Sequence, residues 1–366
     1  MAHVGAKGSG LQVRDELRPL TSARGIAAWY VVLYHIRDSA AGRLPAPLVE
    51  VLARGYLAVD FFFILSGFVI WLNYGRMLRE QRWRAVPHFL WRRIARIYPL
   101  HLLILLAAVG LALLCLGTGR GMPLGFAWET LPFHLLLLQN WGLIDGLGWN
   151  VPAWSISCEL GAYLLFPLLV LRIDWRRLPG GALLAMLGLL MLALFALFHA
   201  SGKALLGNDI PDLGLPRCLL EFAMGTIVAA LWLRWREAPR RPRLVAALCA
   251  IGGLLGFAAG APEPLALPFI FVSLLLALAL GADGPNPLRG RVVHWLGEIS
   301  YATYLAHALL FLVFKMAFVR DPSDVPLPLL GLFLLLVLGV SAMLYHGFEL
   351  PAQRWMNRRG PRRPVS

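Results

Sequence analysis

The segment Leu57–Tyr74, which reads LAVDFFFILSGFVIWLNY, decides the fold class of this chain. Its only charged side chain is Asp60, and aromatic and aliphatic residues dominate the rest. An apolar stretch of about 18 residues with so few charges is typical of a helix that crosses a lipid bilayer. The segment therefore predicts a membrane protein.

The whole chain has the same character. It has 366 residues, of which 59% are apolar and 15% charged, and its mean hydropathy is +0.68. Soluble proteins average about 45–50% apolar and about 25% charged residues, so this composition excludes an ordinary soluble enzyme. Four cysteines without a CxxC pair predict no metal site and no disulfide framework. We predict an all-α polytopic membrane protein of about ten transmembrane helices, at 24–40, 57–74, 97–117, 157–173, 181–200, 216–235, 244–261, 264–281, 295–319 and 326–346.

Basic residues lie mainly in the connectors between these segments, and the net charge is +14. With the N-terminus inside the cell, the cytoplasmic segments hold 26 of the 34 Lys and Arg residues, as the positive-inside rule requires. An eleventh apolar piece, 131–144, is interrupted by His134, Gln139 and Asn140, and it would destroy this asymmetry if it crossed the bilayer. We therefore predict a re-entrant or interfacial segment there, both termini in the cytoplasm of a bacterial inner membrane, and no nucleic-acid partner.

One membrane domain is predicted from residue 14 to residue 355. Residues 1–13 are small and polar and predict a flexible leader, and the basic residues 356–366 predict a disordered tail near anionic lipid. The basic N-terminus and the short apolar run Gly25–Ile36 also fit a signal peptide. Because many apolar segments follow, we interpret this run as a retained first helix.

Arg24 and His35 are the first pair of candidate site residues. Eleven positions at about 100° each make about three turns, so both side chains share one helix face, about 16 Å apart along the axis. Histidine is the side chain best suited to move protons near neutral pH. A snorkelling arginine and a histidine bonded to a neighbouring carbonyl would explain the same residues structurally.

Arg93 and Arg96 are i,i+3 neighbours in the segment Trp91–Pro99, WRRIARIYP, just before a predicted span. Paired guanidinium groups suit phosphate or pyrophosphate. A plain positive-inside cluster is the structural alternative, since seven arginines occupy 76–96.

Two carboxylates in predicted spans are further candidates. Asp60 is expensive to bury unless it is paired, for example with an arginine. Glu159, in WSISCE (154–159), lies near the start of the fourth predicted span, where the helix dipole favours an acid. Alternatively, Glu159 orients a histidine or binds a hydroxyl of the substrate.

A polar stripe is predicted on the helix that follows Gly297. Ser300, Tyr304 and His307 are spaced i, i+4 and i+7, so they share a face that should point into the bundle or a water-filled cavity. Glu349 lies near the end of the last span, where a carboxylate opposes the helix dipole and needs a basic partner.

The order and spacing of these motifs resemble those of the acyltransferase family 3 membrane proteins, which O-acylate carbohydrates and other acceptors. The resemblance runs from about residue 17 to residue 355 and is carried by Arg24 and His35, then by VDFFFILSGF, RRIARIYP, WSISCE, ISYATYLAH and FELP. One departure is visible, because many relatives have a second acid where this chain has Leu160. That leaves Glu159 as the sole candidate at this place.

The resemblance implies acyl transfer, most often of acetyl from acetyl-CoA, to a hydroxyl. In that interpretation Arg24, Arg93 and Arg96 hold the phosphates of the acyl-CoA, and no metal is involved. His35 acts as general base or as a covalent acyl relay, and Asp60 or Glu159 supports it.

The acceptor implied is a sugar hydroxyl of a surface or exopolysaccharide, or of its lipid-linked precursor, and other polysaccharide-assembly proteins are possible partners. Ser300, Tyr304, His307 and Trp154 are the candidate acceptor-binding residues, although Trp154 also fits an interfacial aromatic belt. A secondary transporter of a polar or anionic solute is the main alternative, but the chain lacks the inverted repeat that transporters often show.

Overall fold

A computed structural model of the chain describes residues 17–284, 286–319, 321 and 325–363. The predicted leader, 1–13, lies outside these residues. The described residues form α-helices joined by turns and loops and contain no strand. The helices are α1 (Arg18–Ala40), α2 (Ala46–Leu52), α3 (Ala58–Gln81), α4 (Val86–Gly117), α5 (Leu131–Leu135), α6 (Ala153–Arg172), α7 (Gly180–Ala200), α8 (Ile210–Trp235), α9 (Arg240–Ala258), α10 (Glu263–Leu280), α11 (Arg291–Glu298), α12 (Ser300–Phe318), α13 (Leu327–Leu344) and α14 (Leu350–Arg359).

The helix pattern confirms an all-α membrane protein. Among the described residues, eight helical stretches are long and apolar enough to cross a bilayer, and one of them, Ala46–Gly117, contains both α3 and α4. Each of the ten predicted spans coincides with a long helix, but α1 is not among the eight stretches. A count of ten crossings therefore stays a prediction.

Two local expectations need correction. The predicted span 295–319 is divided, because α11 ends at Glu298 and α12 begins at Ser300. The predicted disordered tail begins as helix, since α14 continues to Arg359. The Trp91 indole donates a hydrogen bond to the Met356 carbonyl (2.8 Å), which attaches this helix to α4.

The interrupted apolar piece at 131–144 does not form a long helix. The short α5 ends at Leu135, and irregular backbone follows. The buried side chain of Gln139 donates to the Ala153 carbonyl (3.1 Å), and Asn140 donates to the Ile210 carbonyl (2.9 Å). The backbone of this piece also has internal partners, since the Asn140 N–H donates to Ser157 Oγ (3.2 Å) and Ser157 Oγ donates to the Leu137 carbonyl (2.8 Å). Irregular backbone in a membrane protein requires such partners.

Small residues bring the central helices α3 and α8 into close contact. A Cβ added at Gly67 would collide with the Phe222 carbonyl, and one added at Gly225 would collide with the Ile64 carbonyl. Backbones approach this closely only where side chains are absent. This packing fixes Ser66, the neighbour of Gly67, beside the cavity described below.

A similar contact positions the first helix. Gly25 of α1 packs directly against the backbone of Gly297 in α11, and a Cβ at Gly297 would strike the Thr21 carbonyl. Because α11 ends one residue later and α12 begins, the start of α12 lies against α1. Arg24 and Ser300 are neighbours for this reason.

Candidate active site

A cavity of about 160 Å³ lies among α1, α3, α4, α6 and α12. Six of the predicted site residues, which come from four separate motifs, line it: Arg24, Arg93, Arg96, Glu159, Ser300 and Tyr304. The helix packing thus unites residues that are up to 280 positions apart in the sequence.

Arg24 is held at the junction of α11 and α12. Its Nε donates to Ser300 Oγ (3.0 Å), and one terminal nitrogen donates to the Gly297 carbonyl (2.8 Å). Ser300 Oγ also donates to Gly297 O (2.7 Å). Neutral groups accept both of these bonds, so they orient the guanidinium without cancelling its charge.

Arg96 has a carboxylate partner. It forms a salt bridge with Glu349, whose side chain is buried. Glu349 ends a π-helical turn, Tyr345–Glu349, and π-helical turns occur frequently at functional sites. The structure thus supplies the basic partner that was predicted for Glu349.

Arg93 is held mainly by aromatic residues. It donates to the Tyr74 hydroxyl (2.8 Å), and its guanidinium carbon lies 4.8 Å from the Tyr74 ring centroid and 6.0 Å from that of Tyr163. Its Nε is buried and has no hydrogen-bond partner in the described part of the chain. Arg93 therefore keeps donor capacity for a ligand.

Glu159 is the carboxylate that lines the cavity. Ser66 Oγ donates to it, and Tyr163 lies one helical turn away on the same wall. With Glu159 and Glu349 counted against Arg24, Arg93 and Arg96, the site carries one excess formal positive charge. A low-dielectric pocket with this excess attracts an anion.

His35 does not line the cavity but pairs with another predicted residue, His307. His35 Nδ1 lies 3.2 Å from His307 Nε2 and 2.9 Å from the Val31 carbonyl. His307 is fully buried, and its own Nδ1 lies 3.2 Å from the Thr303 carbonyl. The two rings meet edge to face with centroids 4.8 Å apart.

Tyr304 connects the cavity to this histidine pair. Its hydroxyl shares a hydrogen bond with Ser155 Oγ (2.8 Å), and both residues line the cavity. The Tyr304 ring lies 6.2 Å from the His307 ring. The histidine pair therefore lies next to the Tyr304 side of the cavity.

Asp60 and Trp154 lie elsewhere. Both Asp60 oxygens accept hydrogen bonds from Arg217 of α8, at 2.7 and 2.6 Å, and both residues are almost completely buried. Trp154 packs behind the cavity against Phe63, and Arg217 lies over its ring. The structure therefore does not bring Asp60 to the cavity or into contact with His35.

Sequence reasoning missed Arg217 and Glu221. Glu221 is fully buried one turn after Arg217, and neither of its oxygens has a hydrogen-bond partner among the described residues. The available signal was the pair of opposite charges at i,i+4, Arg217 and Glu221, inside the predicted span 216–235. A buried Asp60 needs a basic partner, and Arg217 is a basic residue inside another span.

Several of the cavity residues belong to the motifs that carry the family resemblance, and comparison with known proteins supports that family. The model of the family described as "Acyltransferase domain" matches residues 20–346. This chain belongs to that family. The chain is an acyltransferase and an integral membrane protein, and this assignment favours the enzyme over the transporter.

Three curated proteins are similar in sequence to this chain. Acyltransferase MdmB of Streptomyces mycarofaciens is 32% identical over 94% of each chain. Exopolysaccharide production protein ExoZ of Rhizobium meliloti is 27% identical over 69% of this chain and 75% of its own length. Protein 2 in picA locus of Rhizobium radiobacter is 43% identical over 38% of this chain and 75% of its own length. No solved structure matches the chain significantly.

Proposed function

We propose that this membrane acyltransferase transfers acetyl from acetyl-CoA to a hydroxyl of a surface or exopolysaccharide sugar, or of its lipid-linked precursor. One observation carries the proposal: three arginines with excess positive charge line a cavity that leads, through Tyr304, to a histidine pair. Guanidinium groups suit the phosphates of an acyl-CoA, and a neutral histidine suits proton transfer.

The donor is held from the arginine side. Arg93 has a free donor, Arg24 is bonded only to neutral acceptors, and Arg96 adds a third guanidinium to the same wall. The phosphates bind these residues, and the pantetheine arm extends toward Tyr304. Acyl-CoA is made in the cytoplasm, so the arginine side faces the cytoplasm of the bacterial inner membrane, as do both termini.

The acceptor hydroxyl approaches His35. His35 Nε2 takes the proton from the hydroxyl while the hydroxyl oxygen attacks the thioester carbonyl. The carbon–sulfur bond then breaks, and the CoA sulfur leaves with the proton that His35 returns. One ester and one free CoA thiol result, so no proton is gained or lost.

Glu159, Ser300 and Tyr304 supply hydrogen bonds along the path. Glu159 accepts from an acceptor hydroxyl or stabilises positive charge on the histidine pair, while Tyr304 and Ser300 orient the bound groups. A sugar acceptor is supported by the similarity to the exopolysaccharide production protein ExoZ. A partner that assembles the polysaccharide would then use the product.

The test is transfer of radiolabel from acetyl-CoA in membranes that contain the intact protein or His35→Ala at equal expression. We expect labelled glycan or lipid-linked sugar with the intact protein and a loss of roughly 100- to 10,000-fold with His35→Ala, as for removal of a general base. His199→Ala is the matched control, because His199 is an exposed histidine at the far end of α7. Equal transfer by the intact protein and by His35→Ala would contradict the assignment of His35 to the active site.

Label on the protein separates the two chemical routes. Direct transfer leaves no label on the protein when the acceptor is missing, whereas an acyl-histidine relay leaves label that depends on His35. If no acetyl is transferred, the same assay with longer acyl-CoAs tests the donor class. Failure of all of these donors would contradict the acyl-CoA proposal.

A further inference from the structure

Four groups form a continuous hydrogen-bonded chain around the histidine pair. They are the Val31 carbonyl, the two imidazole rings and the Thr303 carbonyl, and the three links are 2.9, 3.2 and 3.2 Å long. The carbonyls belong to α1 and α12, one turn before each histidine. Both ends of the chain are therefore acceptors only.

Those two carbonyls determine which nitrogens carry hydrogen. Since Thr303 O accepts, His307 Nδ1 must donate, and the Nε2 of a neutral His307 is then a lone pair. Since Val31 O accepts, His35 Nδ1 also carries hydrogen. This one N–H is shared between two acceptors, Val31 O and His307 Nε2. A neutral His35 is left with a free lone pair on Nε2.

We propose that His307 is a positioning residue for His35 and does not bind the acceptor itself. Its Nε2 lone pair accepts from His35 Nδ1–H, fixes the orientation of that ring, and stabilises the positive charge on His35 when Nε2 takes a proton. This inference rests on the proposed function of His35. It replaces the prediction from the sequence that His307 contacts the substrate.

The surroundings of His307 support an indirect role. Neither histidine lines the cavity, but His307 is completely buried, whereas His35 is partly exposed. Two tyrosine rings pack beside the pair: the Tyr34 ring lies 5.0 Å from His35, and the Tyr304 ring lies 6.2 Å from His307. The nearest charged group on this side is the Arg37 guanidinium, 4.0 Å from the centroid of the Tyr34 ring. No carboxylate is bonded to either imidazole among the described residues. In a Ser-His-Asp triad a carboxylate orients the catalytic histidine, and in this protein the neutral imidazole of His307 would take that role for His35.

Two substitutions at one position test this role. His307→Gln places an amide oxygen near the position of Nε2 and keeps an acceptor, whereas His307→Leu fills the space and removes it. We expect His307→Leu to lower kcat by roughly 10- to 100-fold, the range for loss of one hydrogen bond to a charged group. We expect His307→Gln to restore kcat to within about threefold, and KM for acetyl-CoA to stay within about twofold in both.

The controls separate this proposal from the one on which it rests. If His35→Ala keeps its activity, the proposed function of His35 fails. If His35→Ala is inactive but His307→Leu matches the intact protein, only the present inference fails. Equal losses in His307→Leu and His307→Gln, or a large rise in KM, would show that His307 is structural or binds substrate.

A spectroscopic measurement gives a readout without activity. Nitrogen-15 NMR of histidine-labelled protein in lipid, with His35→Ala to assign its signal, reports which nitrogen carries hydrogen. We expect His35 to have hydrogen on Nδ1 and a bare Nε2. Hydrogen on Nε2 of the neutral ring would overturn the inference.

Discussion

Arginine enters the apolar interior at two places, and the two places differ in how its charge is balanced. Arg217 lies between α3 and α8 with both Asp60 oxygens bonded to it, and both side chains are at most 1% exposed. In the cavity, Arg24 and Arg93 are bonded to neutral groups and face open space. The first site is closed and saturated, whereas the second is open and has spare donors.

The difference indicates which charged side chains in a membrane protein can bind a ligand. A buried ion pair whose donors and acceptors are all satisfied has no capacity left for another partner. An arginine with a buried unpaired nitrogen beside a cavity retains that capacity. The sequence motifs alone do not distinguish a saturated ion pair from an arginine with a spare donor, since both Asp60 and Arg93 belong to motifs that carry the family resemblance.

The largest effect is expected at the closed site. Asp60→Asn removes the carboxylate charge that is hydrogen-bonded to the buried Arg217 and should lower the free energy of unfolding by about 3–5 kcal/mol. Thermal unfolding of the detergent-purified protein measures this loss. Asp38→Asn is the control, because Asp38 pairs with Arg37 while its side chain is 77% exposed, and a change within about 0.5 kcal/mol is expected there.

A double substitution sharpens the test. Asp60→Leu with Arg217→Met removes both charges and should recover most of the stability lost in Asp60→Asn. If Asp60→Asn is instead as stable as the intact protein but inactive, Asp60 has a catalytic role, as the sequence first suggested.

The next effect is expected at the open site. Arg93→Met should raise KM for acetyl-CoA by roughly 10- to 100-fold and leave thermal stability nearly unchanged, because a hydrogen bond to a charged phosphate is lost but no ion pair is broken. S-acetylpantetheine lacks the nucleotide phosphates, so its KM should not respond. Steady-state transfer assays with each donor measure the two KM values.

Arg92→Met is the matched control for this experiment. Arg92 is the neighbour of Arg93 on α4 but does not line the cavity. Equal KM changes for both donors, or equal changes in both variants, would contradict phosphate binding by Arg93.

The smallest effect is expected at an arginine–aspartate pair that lies outside the membrane spans. Arg176, which donates to both Asp174 oxygens at 2.9 Å, lowers the pKa of Asp174 from 3.8 to about 2. A lowered pKa means that the pair stabilises the fold above about pH 4 and that this stability is lost as the pH falls toward 2.

Asp174→Asn should therefore reduce the free energy of unfolding at pH 7 by only about 0.5–1 kcal/mol, since the Arg176 side chain is 44% exposed and water screens the pair. Thermal unfolding of both proteins from pH 7 to pH 3 should show the difference shrinking below pH 4. A difference that does not vary with pH would refute the pairing as its source.

The fold class could be predicted from the sequence because a bilayer imposes a length and a polarity on each span. Leu57–Tyr74 and the other apolar segments meet that condition, and each coincides with a long helix. The break between Glu298 and Ser300 could not be predicted, since it depends on the contact of Gly25 with Gly297. The apolar pattern is the same whether or not a helix bends there.

The cavity could be predicted in part. Arg24, Arg93 and Glu159 carry recognisable spacing and meet in one cavity. The bond between His35 and His307 could not be predicted, because each lone histidine also fits a bond to its own helix carbonyl, which both in fact make. Pairing across helices depends on tertiary packing.

In the proposed complex, the arginine-lined cavity holds the acyl donor with its thioester end toward Tyr304. A Ser155→Cys variant, made in a Cys249→Ser background, places a thiol at that end, since Ser155 lines the cavity and contacts Tyr304. CoA disulfide should exchange with this thiol and attach CoA, which intact-protein mass spectrometry detects. Acetyl-CoA should protect the thiol, and Arg93→Met should slow its labelling. Ser201→Cys, at an exposed position, is the control. If Ser155→Cys is labelled no faster than this control and acetyl-CoA does not protect it, the proposed position of the donor is contradicted.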